Sequence, residues 1–253
     1  MPKDSDGFVR SIARGLLVIE ALGQIPGRHT LAELAVATEL SRATVRRILA
    51  TLVALNYCES DGRYFRLRPR ALALGLSYLT ALPLWAHAQQ ALEQLRNDVR
   101  ESCAIAVLDR EDIVYILRQP SRKILAADLG IGSRLPAHLV SLGRVMLAAL
   151  PIKERENYLS SVGLKQLTSR TIVKREALRR ELQKITEQGF AWVDGELDPA
   201  ICGMAVPIRD QEGTVIAAIS VNTISGSIDE KGAKSRFLIS LKRAAQEIRL
   251  QSA

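Results

Sequence analysis

The sequence predicts an α+β fold: an N-terminal winged helix-turn-helix, a linker helix, and a C-terminal antiparallel sheet with flanking helices. Three observations carry this reading. Three helical stretches, the third capped and basic, precede an Asp-Gly hairpin within the first 70 residues. An uncharged apolar run follows at 71–88. From Cys103 onward, strand-like pairs alternate with helical groups, the pattern of an antiparallel sheet flanked by helices. A length of 253 residues accommodates one large domain or two modest ones.

The first helix starts near Ser11, where Ile12, Leu16, Ile19 and Leu22 fall at helical spacing, and Gly23 with Pro26-Gly27 ends it. A second opens at Thr30. Its Thr-Leu-Ala-Glu run is a capping box, in which Thr30 caps and Glu33 reaches back to the freed backbone N–H. After it ends near Ala37, Ser41 caps a third helix with an inward stripe of Val45, Ile48, Leu49, Leu52 and Leu55. The period then changes. Tyr57-Cys58-Glu59-Ser60 and Arg63-Tyr64-Phe65-Arg66 flank Asp61-Gly62, a strong hairpin signal.

Pro69 suits the first turn of a helix over 69–82, broken at Pro83, and another runs from about Trp85 to Arg100. The uncharged run 71–88 just reaches spanning length, but Gly75, Ser77, Thr80, Pro83 and His87 interrupt it. It reads as a buried inter-domain helix rather than a membrane span. Strands are predicted at 103–109, 113–119 and 124–128, helices near 139–149, 151–161 and 174–188. Further strands fall at 190–194, 203–209 and 214–222, with a hairpin around Gln211-Glu212-Gly213, and a last helix at 232–250. The expected division is 8–68 for DNA binding, 69–84 as linker, and 85–253 for effector binding and oligomerisation.

Charge locates the first function. Lys plus Arg number 35 against 27 Asp plus Glu, a formal +8, and seven Arg against two acids within 41–70 supply +5 of it. In a helix-turn-helix the second helix lies in the major groove. The apolar stripe leaves Ser41, Arg42, Thr44, Arg46, Arg47 and Thr51 outward, guanidiniums for guanine or phosphate and hydroxyls for backbone oxygens. Thr30 at the preceding helix start and Arg63 on the wing, beside Arg66 and Arg68, complete the DNA-facing set. The expected partner is double-stranded DNA carrying a near-palindromic operator. The bland alternative is a solvated basic helix beside an arbitrary hairpin; the order of cap, turn, basic helix and wing argues against it.

Other chemistries find little support. Cys58, Cys103 and Cys202 lie far apart without a C-x-x-C pair, which disfavours a disulfide framework or zinc finger and suits a reducing compartment. His29, His87 and His138 never fall in paired ligand spacing. No metal and no cofactor are expected. Met1-Pro-Lys-Asp-Ser-Asp-Gly7 lacks the apolar core of a signal peptide, so a cytoplasmic location is expected. Nucleophile-elbow, P-loop and dinucleotide-binding motifs are missing from the sequence, and the chain is read as a non-enzyme. The acidic trio Asp194, Glu196 and Asp198 keeps one alternative open, a bifunctional enzyme with a DNA-binding head acting on a small acid. A ligand-independent architectural DNA-binder is a third reading.

The run Ser41-Arg-Ala-Thr-Val-Arg-Arg-Ile-Leu-Ala-Thr-Leu, with Asp61-Gly-Arg-Tyr and Leu67-Arg-Pro-Arg-Ala-Leu-Ala-Leu-Gly75, resembles the IclR family of bacterial transcriptional regulators. The likeness continues through Gly132-Ser-Arg-Leu-Pro-Ala-His-Leu-Val-Ser-Leu-Gly-Arg-Val-Met-Leu-Ala148, Leu167–Ile172, Gly189–Asp198 and Ala205–Asp210, nearly the whole chain. Its Arg-Leu-Pro-Ala…Ser-Leu-Gly-Arg-Val form is similar to the branch regulating protocatechuate and 4-hydroxybenzoate catabolism. The resemblance implies a GAF-like effector domain, dimers pairing into tetramers, and control by a small aromatic acid acting on promoter occupancy or RNA polymerase contact. It further implies a pocket lined by Ser141 and Leu142, the loop of Asp194 and Glu196, the Ile201–Gly203 segment, and Ser220 with Asn222.

A small carboxylate needs a cationic or N–H-rich seat. The first turn of the helix near 139–149 offers free N–H groups and the positive end of its dipole, and Arg134 and Arg144 could add a bidentate fork. His138 joins this set. Each has a second reading: the two Arg as structural ion-pair partners of Asp128 or Glu196, the acidic trio as an exposed strand edge, His138 as a satisfied loop histidine.

Overall fold

The computed structural model describes residues 7–24, 27–82, 84–121 and 129–251. The chain divides into two compact units at Leu79/Thr80.

The first unit holds α1 (Arg10–Gln24), β1 (His29–Thr30), α2 (Leu31–Thr38), α3 (Arg42–Ala54), β2 (Cys58–Ser60) and β3 (Tyr64–Leu67). Both predicted caps form. The Thr30 hydroxyl accepts from the Glu33 N–H while Glu33 accepts from the Thr30 N–H, and the Ser41 hydroxyl accepts from the Thr44 N–H. Each satisfies donors that a helix start leaves unpaired. The three helices meet in one core, Val18, Leu22, Leu34, Val45, Leu49 and Leu52 with Cys58 from the wing, whereas Ile12, Leu16 and Leu55, expected on the inward stripes, are exposed. The wing is a three-stranded sheet ordered β1-β3-β2, one strand more than predicted, because His29 and Thr30 pair with Phe65 and Tyr64. Its hairpin loop is longer than the two residues Asp-Gly suggests. Ser60 pairs with Phe65, and the Asp61 carboxylate accepts from the N–H groups of Arg63 and Tyr64, holding the intervening loop.

After a 3-10 turn at Pro69–Ala71 comes α4 (Leu72–Ala81). The expected buried inter-domain helix is corrected here: no residue of α4 is buried, and Leu72, Leu74, Leu76 and Tyr78 are exposed. The apolar run splits, since Leu84 and Ala88 beyond the break are buried. No helix among the described residues is long and apolar enough to cross a membrane.

The second unit is built on a six-stranded antiparallel sheet ordered β6-β5-β4-β9-β8-β7. Its elements are α5 (Trp85–Val99), β4 (Ser102–Asp109), β5 (Asp112–Gln119), β6 (Arg134–Pro136), α6 (Ser141–Ala149), α7 (Ile152–Ser161), α8 (Arg175–Gln188), β7 (Ala191–Asp194), β8 (Ile201–Arg209), β9 (Val215–Ile224) and α9 (Glu230–Gln251). The strand expected at 124–128 lies outside the described residues, and β6 supplies the edge beside β5. The helix expected from 139 begins at Ser141, because Val140 is extended and residues 137–139 form a 3-10 turn. Helices α5 and α9 pack together against β4, β5, β8 and β9, while α6 packs on the sheet with α8 stacked upon it. The α6 side is a continuous apolar layer that includes Ala104, Ala106, Tyr115, Leu142, Ala205 and Ala218.

Register places the polar side chains on that layer. Arg118, Ala104, Ser220 and Ala205 are consecutive cross-strand partners, and the next row holds Ser102, Asn222 and Gly203. Partners across a ladder share a face. A bulge in β5 at Ile116 puts Tyr115 opposite Ala106 and Arg118 opposite Ala104, so two residues three apart point the same way.

Candidate functional site

A cavity of about 80 Å³ lies between the first turn of α6 and the sheet. Leu129, Leu135, Leu139, Leu142, Val193 and Ile201 make its apolar walls. Its polar groups are Ser102, Tyr115, Arg118, Ser141, Glu196, Asp198 and Asn222. Arg118 is the one Lys or Arg lining it among the described residues, and the guanidinium donates to the Leu129 carbonyl. Ser141 is buried, and its hydroxyl has no hydrogen-bond partner among the described residues. The Tyr115 hydroxyl likewise has none, and burial pushes its pKa up, keeping it a donor. Asn222 donates to the Ser220 hydroxyl and leaves its own carbonyl oxygen facing Gly203.

Two glycines shape the site. A Cβ at Gly143 would lie 2.1 Å from the Ala137 carbonyl oxygen, so only glycine lets the first turn of α6 settle against the preceding 3-10 turn. At Gly203 a Cβ would lie 2.4 Å from Asn222 Oδ1 and 3.1 Å from Ser141 Oγ. The missing side chain is what lets those two polar groups converge.

Behind the cavity Arg144, only 1% exposed, donates from Nε to the His138 carbonyl at 2.8 Å and from Nη2 to Glu196 Oε2 at 2.5 Å. Glu196 also accepts from the Ile172 N–H at 3.0 Å, and its residue lines the cavity while Arg144 does not. His138 is buried, bonded through Nδ1 to the Tyr158 hydroxyl at 3.2 Å, with Nε2 unpartnered among the described residues. Burial and the nearby Arg144 push its pKa down to about 4, so it is neutral at pH 7.

The structure therefore brings together Ser141, Leu142, Glu196, Gly203 and Asn222 at one cavity, with Ser220 held one bond behind Asn222. It does not bring Arg134, which is exposed on β6 and pairs with Asp109 at 2.7 Å and Asp112 at 3.1 Å. Asp194 is also elsewhere, bonded to Arg170 and Ser225. The alternative readings of Arg134 and Arg144 as ion-pair residues are the ones realised. For Arg134 the partners are Asp109 and Asp112, and the suggested Asp128 lies outside the described residues. Arg118 and Tyr115 were not singled out by sequence. A lone Arg inside the apolar strand Ile-Val-Tyr-Ile-Leu-Arg is the signal that could have found them.

In the first unit, α3 leaves Ser41, Arg42, Arg46, Arg47 and Thr51 exposed and Thr44 half-buried. Arg42, Arg46 and Arg47 are exposed and have no carboxylate partner among the described residues. Ser41 and Thr44 share a hydroxyl–hydroxyl bond of 2.9 Å, and Thr51 donates to the Arg47 carbonyl. On the wing Arg63 is exposed over the Tyr64 ring, while Arg66 pairs with Glu59 and Arg68 bonds Asn56. Thr30 is engaged in its capping box. No group of three or more His, Cys, Asp or Glu placed to hold a metal exists among the described residues.

Known proteins are similar to this chain in sequence and fold. The family signature described as "Bacterial transcriptional regulator IclR C-terminal" matches residues 76–250, and "IclR helix-turn-helix domain" matches 11–62. The Pca regulon regulatory protein of Pseudomonas putida is 39% identical over 242 residues, covering 95% of this chain and 83% of that protein. A transcriptional regulator from Rhodococcus sp. RHA1 has a solved structure with TM-score 0.86 and 40% identity, covering 96% of this chain and 98% of that one. An IclR homologue from Microbacterium hydrocarbonoxydans, solved in complex with 4-hydroxybenzoate, has TM-score 0.85 and 27% identity over 96% and 98% of the two chains.

Proposed function

The chain belongs to the IclR family of bacterial transcriptional regulators, and on that premise we propose that a small hydroxylated aromatic acid, 4-hydroxybenzoate or protocatechuate, binds the α6 cavity and controls DNA binding. One observation carries the proposal. A slot with largely apolar walls presents an unpartnered Ser141 hydroxyl, an unpartnered Tyr115 hydroxyl, the Asn222 carbonyl oxygen and the Arg118 guanidinium. Such a set satisfies a carboxylate and a phenol together. The Microbacterium homologue in complex with 4-hydroxybenzoate supports the same ligand class.

The first unit reads DNA through α3, with Arg42, Arg46 and Arg47 toward the major groove and Arg63 of the wing toward phosphate. The exposed apolar face of α4 supports a homodimer, which would present two reading heads to half-sites about 34 Å apart or a multiple of that. Two such dimers form the tetramer. Effector binding then shifts promoter occupancy or contact with RNA polymerase through a coupling of about 1–3 kcal/mol, reciprocal between DNA and ligand.

The test begins with an operator selected from random duplexes by the purified protein, titrated with and without saturating 4-hydroxybenzoate. The proposal expects a change in DNA affinity of about 5- to 150-fold. DNA affinity and half-site preference both unmoved by any hydroxybenzoate would refute it.

A further inference from the structure

We infer that Arg118 is the residue that selects an acid, holding the effector's carboxylate at the β5 side of the cavity, while Ser141 and Asn222 receive the ring hydroxyl at the opposite side. The inference rests on the aromatic-acid reading of the cavity and assigns the two ends of the ligand within it.

Elimination supplies the first argument. Arg134 is exposed and already bridges two aspartates. Arg144 is 1% exposed, does not line the cavity, and gives one N–H to the His138 carbonyl and one to the Glu196 carboxylate, which balances its charge. Arg118 is half-buried, lines the cavity, and has no carboxylate partner among the described residues. One N–H goes to the Leu129 carbonyl, and the rest of the guanidinium fork has no protein acceptor among the described residues.

Polarity supplies the second. The Glu196 carboxylate belongs to the wall formed with the first turn of α6, and Asp198 lies beside it. An effector carboxylate placed there finds the nearby cation, Arg144, already paired with Glu196, and shares the wall with the Asp198 carboxylate. A phenol needs no cation: its O–H donates to Asn222 Oδ1, and its oxygen accepts from the Ser141 hydroxyl and the free N–H groups of the α6 first turn. Across the cavity the Tyr115 hydroxyl stands beside Arg118 on the same face and donates to the second carboxylate oxygen.

Register supplies the third. Arg118 pairs with Ala104 and Ala104 with Ser220, so Arg118 stands two strand spacings from β9, roughly 9.5 Å between backbones. A ring whose substituents are para to each other spans seats set on strands that far apart better than an ortho-substituted one. The slot therefore selects para-hydroxylated benzoates over benzoate itself.

The decisive experiment is calorimetric titration of the full chain and of Arg118→Met and Arg118→Lys with 4-hydroxybenzoate and with its neutral amide, 4-hydroxybenzamide. The parent protein should prefer the acid by about 100-fold, the worth of a charge-assisted fork. Arg118→Met should lose that preference because the acid weakens and the amide does not, and Arg118→Lys should recover part of it. Unchanged acid affinity in Arg118→Met would overturn the assignment and move the carboxylate to α6. An equal fall for acid and amide would also overturn it, reducing Arg118 to packing. A parent protein that binds neither compound sinks the aromatic-acid reading itself, and this inference with it.

Discussion

Arg144 and Glu196, 52 residues apart in sequence, form an ion pair at 2.5 Å in which both side chains are almost wholly buried. The pair ties the first turns of α6 to the loop after β7, and through Glu196 to the Ile172 N–H. It neutralises the one wall carboxylate that the cavity buries. Removing a single partner leaves an uncompensated buried charge, the costly direction for such pairs.

Arg144→Met should therefore destabilise the second unit by about 3–5 kcal/mol. Arg144→Met with Glu196→Met should recover a large part of that loss. Urea unfolding of both variants and of Glu196→Met closes the cycle. Additive single-variant losses would show that the two groups are not coupled.

His138 makes stability depend on acid. Its folded pKa near 4 lies below the ordinary 6.5, so between those values the unfolded chain binds the extra proton. Stability from this group is complete above about pH 6.5 and is lost as pH falls toward 4, with a limit of about 3 kcal/mol. In His138→Gln the unfolding free energy should vary less over that window. An unchanged slope would assign the acid sensitivity to other groups.

Gly203→Ala should weaken hydroxybenzoate binding about tenfold or more while changing the melting temperature little. The new Cβ meets the movable end of Asn222, 2.4 Å away, and displaces it from the ligand's side. Gly143→Ala meets backbone at 2.1 Å instead, and should lower stability by about 3 kcal/mol, the upper end for overpacking. If the two substitutions had equal effects on melting, the distinction between cavity and scaffold would fail.

Arg46→Ala and Arg47→Ala should each weaken operator binding and, where the residue meets phosphate, flatten the log–log salt dependence by about 0.9. Hydroxybenzoate affinity in the absence of DNA should stay at the parent value. Loss of both activities together would contradict the separation into a DNA-reading unit and a ligand-binding unit.

The N-terminal half was the more legible part of the chain. Caps at Thr30 and Ser41 and the Val45–Leu52 stripe are local signals, decided within four or seven residues, and the structure realises them. The cavity depends on long-range register, which periodicity does not reveal. A regular strand sets residues 115 and 118 on opposite faces, and only the bulge at Ile116 turns Tyr115 and Arg118 the same way. Arg134 and Arg144 looked like anion ligands because their acidic partners lie 22 to 52 residues away in sequence. The exposed face of α4 misled for a related reason: apolar composition alone does not tell which part of a run packs within the chain.

The most direct test of the account is a thermal-melt panel of the purified chain against 4-hydroxybenzoate, protocatechuate, benzoate and short aliphatic acids. A ligand at 100 times its dissociation constant stabilises the native state by about 2.7 kcal/mol, several degrees for domains of this size. The account predicts that shift for a para-hydroxylated benzoate, a smaller one for benzoate, and its loss in Arg118→Met. A shift with an aliphatic acid alone, or none across the panel, would contradict the aromatic-acid cavity while leaving the winged helix in place.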